Sequence, residues 1–153
     1  MTPLWSAYTE AFVKNDFLWI KSVIKKMMYL SSLLGFLIII WILLGNTIIP
    51  FWINEKIIIN NLLMISTGLF TLFTIWNNIF AFFLNGVSKI RLSLIVNIFI
   101  TVLNIPLSLI FIKYTHLGVS SVVISNICCS LFGVILGPLQ YYFIINNRAH
   151  GIW

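Results

Sequence analysis

Four long apolar runs, none of which contains a charged residue, constrain the fold of this chain more than any other feature. They cover about 29–49, 57–84, 92–112 and 119–145. An α-helix needs about 20 residues to cross about 30 Å of hydrocarbon, so each run is long enough to span a membrane. The links between the runs are short, which favours antiparallel neighbours. We predict an all-α membrane protein with four transmembrane helices, antiparallel neighbours and a preceding amphipathic segment.

The composition also indicates a membrane protein. Hydrophobic residues make up 61% of the chain and charged residues only 8%, whereas a soluble domain has about 45–50% and about 25%. The net charge of +6 comes from Lys and Arg residues at the ends of the apolar runs, a pattern that sets orientation in a membrane. We therefore expect membrane lipids as partners and no nucleic acid.

The positive charges are distributed unevenly along the chain. Four lysines precede the first run, namely Lys14, Lys21, Lys25 and Lys26. A basic segment before a first span is retained in the cytoplasm. Four crossings then place three more basic residues on the same side, namely Lys89, Arg91 and Arg148, and leave Lys56 and Lys113 outside. The pattern predicts that both termini, including the tail at 147–153, are cytoplasmic.

Residues 1–26 have the pattern of an amphipathic helix that lies at the membrane surface. Asn15-Asp16 interrupts the helical spacing of the apolar residues and can cap a second helical piece that begins at Phe17. We expect this piece to precede the first span, and Pro50 to end that span. A polar lead-in to the first span is the alternative interpretation.

The last apolar run contains a ridge of small residues that recur every four positions. Its members are Ser121, Ser125, Cys129, Gly133 and Gly137. Small side chains allow another helix to approach closely. Dimerisation and packing within one bundle both use such a ridge, and we favour packing within the bundle. The adjacent Cys128 and Cys129 suit neither a disulfide nor a zinc site.

Uncharged polar residues form stripes on two of the runs. One stripe has Ser93, Asn97, Thr101, Asn104 and Ser108, and the other has Thr67, Thr71, Thr74 and Asn78. Polar groups are costly against lipid tails, so we expect both stripes to face protein or water. They line a transport path or form hydrogen bonds between helices. The candidates for a substrate path are Asn78, Asn97, Thr101, Asn104 and Gln140.

Two prolines lie inside apolar runs, Pro106 in the third and Pro138 in the fourth. Each lacks the N–H of a helical residue and can bend its helix, so both are candidate hinges. The sequence has no paired carboxylates, metal-ligand cluster, phosphate-binding loop or nucleophile–base pair. We therefore expect a protein that is not an enzyme and that uses no metal or cofactor.

Five strings occur in order along nearly the whole chain: TPLWSAYTEAFVKNDFLWIK, NGVSKIRLSLIVN, NIPLSLIF, LGVSSVVISNI and GPLQYYFIINNRAHGIW. Together they resemble the C-terminal part of O-antigen and capsular-polysaccharide flippases of the multidrug/oligosaccharidyl-lipid/polysaccharide exporter superfamily. The resemblance implies transport of an undecaprenyl-pyrophosphate-linked oligosaccharide across the bacterial inner membrane, coupled to protons or sodium. By the same resemblance, residues 2–11 correspond to the end of an eighth helix and the four runs to helices nine to twelve.

Members of that family have two six-helix lobes, so a chain of 153 residues would hold only part of the second. The resemblance therefore implies a fragment that needs the missing lobe as a separate chain, or a homo-oligomer. A small four-span drug exporter and a non-transporting assembly protein are the alternatives. A small drug exporter of this kind needs a carboxylate within the membrane. Glu10, Asp16 and Glu55 all lie outside the apolar runs, which argues against the exporter interpretation.

Overall fold

The protein is all-helical in the part that its structure, a computed structural model, describes: residues 2–53, 60–115 and 117–146. The five helices are α1 (Thr2–Val13), α2 (Phe17–Ile53), α3 (Asn61–Gly86), α4 (Arg91–Thr115) and α5 (Val119–Ile145). The last four are long and apolar enough to cross a membrane. The prediction of an all-α protein with four helices long and apolar enough to span a membrane is confirmed within these residues; the amphipathic character of the N-terminal segment stays a prediction.

The break between α1 and α2 falls at the predicted Asn15-Asp16. Asn15 has a φ of 56°, in the left-handed region that asparagine tolerates better than most residues. The Asp16 carboxylate caps α2 by accepting a hydrogen bond from the Trp19 backbone N–H at 2.9 Å. The chain therefore turns from α1 into α2 here without help from a glycine.

The helix predicted to begin at Phe17 does begin there, but it is not separate from the first span, because α2 is continuous from Phe17 to Ile53. The lysines between Phe17 and the apolar run are good helix formers, and no glycine or proline interrupts them. Pro50 does not end the helix either. Membrane helices tolerate a proline because its effect is confined to one backbone bond and a bend.

The other helix ends differ little from the predicted runs. The helix α3 begins at Asn61, where the Asn60 side chain accepts a hydrogen bond from the Leu62 N–H at 2.9 Å. The predicted start at 57 lies outside the described residues. The helix α4 extends slightly beyond its run at both ends, and α5 matches its run.

The helices α3 and α5 form the central pair, and they run parallel. Phe80 and Phe83 of α3 lie beside Gly137 and Tyr141 of α5, so residue numbers rise together along the contact. The helix α2 packs antiparallel on α3, and α4 packs antiparallel on α5. Because α4 contacts α5 rather than its sequence neighbour α3, a groove is left between α3 and α4.

An aromatic and aliphatic core lies at one end of the bundle. It contains Tyr8 of α1, Ile20 and Ile24 of α2, Phe83 of α3 and Ile144 of α5. The start of α2 and the ends of α3 and α5 therefore meet at this end. The basic residues at the same end are Lys14, Lys21, Lys25, Lys26, Lys89 and Arg91, whereas Lys113 lies at the other. Which end faces the cytoplasm stays a prediction.

The helix α1 docks on the end of α3 through close backbone contact. The Thr9 hydroxyl donates a hydrogen bond to the Gly86 carbonyl at 2.7 Å. A Cβ atom on Gly86 would lie 2.6 Å from the Cβ of Tyr8, which is too close for any larger residue. Tyr8 is fully buried there, edge-on to Trp19 and Phe83.

Candidate functional site

The groove between α3 and α4, with α5 as its floor, encloses about 490 Å³. Its polar lining is entirely uncharged and comes from all three helices. These polar residues are Asn77, Ser93, Asn97, Thr101, Asn104, Asn126, Ser130 and Gln140. Aromatic and aliphatic side chains, including Phe70 and Phe80, form the rest of the wall.

Hydrogen bonds between uncharged side chains attach α4 to α5 and so fix one wall of the groove. Asn104 donates from its carboxamide to that of Asn126, and the Ser108 hydroxyl contacts that of Ser125. At the C-terminal end of α4, the Thr115 hydroxyl lies 3.0 Å from the Ser121 hydroxyl of α5. No residue of α4 is fully buried. Polar contacts are therefore a large part of what holds this helix in place.

The small-residue ridge of α5 packs inside the chain, on α3 and α4. Ser125 and Cys129 are buried. A Cβ on Gly133 would lie 3.0 Å from the Asn77 carboxamide, and one on Gly137 would lie 3.1 Å from the Cβ of Phe80. The close approach of α3 to α5 therefore depends on the absence of side chains at these two glycines.

Gln140 closes one end of the groove. Its Nε2 donates to the Lys89 carbonyl at 2.9 Å, and its Oε1 accepts from the Ser93 hydroxyl at 3.3 Å. The side chain is only 2% exposed. Because the protein uses both ends of the carboxamide, Gln140 ties the α3–α4 connection to α5 rather than offering free groups to a ligand.

Three other predicted path residues also line the groove. Asn97 and Thr101 are exposed on the α4 wall, and Asn104 is half-buried beside Asn126. Asn97 and Thr101 border a second hollow of about 450 Å³ as well, which Asn85 of α3 also lines. These side chains therefore remain accessible to a ligand, whereas the amide of Asn104 is engaged.

Asn78 is not among the groove residues. It lies on the exposed face of α3 with Thr67, Thr71 and Thr74, opposite the face that packs on α2 and α5. Within the described part of the chain this stripe does not face protein, and the expectation that it faces protein or water stays a prediction. The Thr71 and Thr74 hydroxyls instead donate to carbonyls of their own helix, at 2.8 and 2.9 Å.

Asn77, which the polar spacing did not single out, enters the groove from α3 in place of Asn78. The Nδ2 of Asn77 donates to the Ser130 carbonyl at 3.3 Å. Its Oδ1 is buried and has no hydrogen-bond partner among the described residues. Asn126 and Ser130 were missed too. Their spacing with Gly133 and Gly137 is helical and marks one face of α5, a signal that was present in the sequence.

Both candidate hinge prolines lie inside continuous helices. Pro138 has no N–H for the Val134 carbonyl, and the Trp76 indole Nε1 of α3 lies 3.4 Å from that oxygen. Pro106 lies on the exposed side of α4. The Val134 carbonyl, which lacks its helical donor because of Pro138, thus forms a contact between α5 and α3.

The groove offers hydrogen-bonding groups and aromatic side chains, and none of the described residues that line it is Asp, Glu, Lys, Arg or His. Within the described residues, no three His, Cys, Asp or Glu side chains come together in a way that could hold a metal ion. Carboxamides and hydroxyls both donate and accept hydrogen bonds, so the lining suits an uncharged ligand rich in hydroxyl groups. Comparison of the chain with protein-family models, curated proteins and solved structures returned no match.

Proposed function

We propose that this chain is the C-terminal part of a polysaccharide flippase. It lies in the bacterial inner membrane with both termini cytoplasmic and contacts an undecaprenyl-pyrophosphate-linked oligosaccharide. The sugar portion occupies the groove between α3 and α4. A partner that supplies the other lobe completes the path, so the chain alone does not transport.

The observation that carries the proposal is the uncharged polar lining of a groove between membrane-spanning helices. Exposed Asn97 would be costly against lipid tails and is favourable beside sugar hydroxyls. The Thr101 hydroxyl donates to the Asn97 carbonyl at 2.8 Å and can still accept from a sugar hydroxyl. Phe70, which is half-buried, adds an apolar aromatic surface. The sequence strings that resemble flippases contribute the substrate class, and the clustering of lysines at one end of the bundle supports the orientation.

The proposal is tested by split complementation in a strain that lacks its own polysaccharide flippase. One plasmid encodes this chain, and the other encodes a flippase truncated after its eighth helix. We expect surface polysaccharide only when both are expressed. Restoration by this chain alone would contradict the need for a second lobe, and no restoration by the pair would contradict the flippase assignment.

Direct contact is tested with a photoreactive amino acid in membrane vesicles that contain labelled lipid-linked oligosaccharide. We expect cross-linking from position Asn97 and none from position Leu37, which is exposed on α2 away from the groove. Equal labelling at both positions would show that the lipid merely surrounds the protein.

A further inference from the structure

The start of α2 carries a basic face that neither the packing of the bundle nor the groove uses. The face is formed by Leu18, Lys21, Ser22, Lys25, Lys26 and Tyr29, all of them exposed. Ile20 and Ile24, on the opposite side of the helix, are buried in the core. The lysines are therefore directed away from the protein.

No carboxylate neutralises these lysines in the part of the chain that the structure describes. Glu10 forms an ion pair with Lys14, and the carboxylate of Asp16 accepts from the Trp19 N–H. The Nζ of Lys25 lies 5.9 Å from the centre of the Tyr29 ring. Lys21 and Lys25 are one helical turn apart, a spacing at which like charges destabilise a helix.

The unpaired lysines attract an anion through their own charge. They begin in the second turn of α2, beyond the first turn to which the helix-dipole effect is confined. An anion placed between them would offset their mutual repulsion. The local electrostatics thus favour a negatively charged ligand.

Beyond the lysines, the exposed surface of α2 is apolar. Tyr29 is 66% exposed, and Leu30 and Leu33 follow it along α2 toward the centre of the membrane, whereas Leu18, 81% exposed, lies on the other side of the lysines. A free phosphate ion would gain nothing from these side chains. A phospholipid would place its phosphate among the lysines and its acyl chains against the leucines.

We propose that this face of α2, from Leu18 to Tyr29, binds the headgroup of an anionic phospholipid. The site lies on the surface of α2 that faces away from the rest of the bundle, so it does not depend on the groove or on transport. It holds the start of α2, and with it α1, at a fixed depth in the interface.

Native mass spectrometry of the protein in neutral detergent measures the affinity for phosphatidylglycerol, with phosphatidylcholine of the same acyl chains as reference. The test variant combines Lys21→Gln, Lys25→Gln and Lys26→Gln. We expect its affinity for phosphatidylglycerol to fall about tenfold or more, with no change for phosphatidylcholine. A variant with arginine at the same three positions should retain binding.

A charge-matched control combines Lys89→Gln, Arg91→Gln and Lys113→Gln, which removes the same charge elsewhere. An equal loss in this control would mean that net charge alone attracts the lipid, and the localised site would be wrong. Equal affinity of the unaltered protein for both lipids would overturn the proposal, as would unchanged binding by the glutamine variant. Soluble glycerol phosphate should not compete, and displacement by it would identify a site for free phosphate instead.

Discussion

The indole Nε1 of Trp76 lies 3.4 Å from the carbonyl oxygen of Val134, the acceptor whose normal helical donor is missing because residue 138 is a proline. In hydrocarbon, water does not reach such an oxygen, and an unsatisfied backbone group is costly. The contact therefore joins the two central helices at a position where α5 would otherwise be weakened.

We expect Trp76→Phe to destabilise the protein by about 1 kcal/mol, in the range of hydrogen bonds between membrane helices. The reason is that the Val134 carbonyl loses its donor. Pro138→Ala supplies a backbone N–H to the same oxygen, so Trp76→Phe should cost less in that background. Unfolding of all four variants in mixed detergent–denaturant gives the coupling free energy. Additive effects would show that the indole does not serve this carbonyl.

Substitution of Gly137 should separate α5 from α3. A Cβ there would meet the Cβ of Phe80 at 3.1 Å, close to the backbone and unable to swing away. We expect Gly137→Val to destabilise by about 1–3 kcal/mol, as for other overpacked sites. Ile135→Val on the exposed side of the same helix is the control and should be nearly neutral. Thermal unfolding followed by circular dichroism distinguishes the two, and equal effects would contradict the packing.

The pairing of Asn104 with Asn126 predicts a specific pattern of double-mutant energies. Asn104→Leu leaves the Asn126 carboxamide without its partner and should cost about 1 kcal/mol. Asn104→Leu combined with Asn126→Leu removes both polar groups and should recover most of that loss. If the double variant is as unstable as the sum of the single variants, the two side chains do not pair in the membrane.

Stability should decline in alkaline solution because of Tyr8. Burial raises the pKa of Tyr8 from 10.0 to about 12, and the nearby Tyr141 adds to the rise. Below pH 10 the phenol is protonated in both states, so its contribution is complete. Between pH 10 and 12 the unfolded state releases its proton first, which favours unfolding. The loss is on the order of 1–2 kcal/mol.

Tyr8→Phe serves as the matched variant for this pH dependence. The Tyr8 hydroxyl has no hydrogen-bond partner among the described residues, so its removal should be neutral or slightly stabilising at pH 8. At pH 11.5 the variant should be more stable than the unaltered protein, because it lacks the phenol that loses its proton on unfolding. The other tyrosines are common to both proteins, so their effects cancel in the comparison. Parallel curves across the pH range would mean that Tyr8 is not buried.

The sequence allowed the spans to be predicted because hydrocarbon imposes a minimum length on each apolar run. It also located the break at Asn15-Asp16, where two residues that favour turns and caps interrupt the apolar spacing. The continuity of α2 was missed because the lysines before the apolar run indicated an interface, although they are good helix formers. The spacing of residues shows which face of a helix is polar, but it does not show which neighbouring helix that face contacts.

The same limit explains why Asn77 rather than Asn78 lines the groove. The two residues differ by about 100° around α3, and the one in the groove is set by how α3 packs on α2 and α5. That packing brings α3 and α5 together in parallel, with α4 on the far side of α5. No periodicity within a single helix encodes this order, because it depends on contacts between residues more than 50 positions apart, such as Trp76 with Val134 (58 positions).

The docking of α1 on Gly86 has a consequence for biosynthesis. Thr9 and its acceptor are separated by 77 residues, so the ribosome must synthesise all of α2 and α3 before α1 can complete its packing, which until then involves only α2. The first helix to emerge is thus seated only after a later hairpin has been inserted. A nascent chain arrested before α3 is inserted would lack Phe83 and Gly86 beside Tyr8 and leave this tyrosine open to proteases, so cleavage near Tyr8 reports whether α3 is in place.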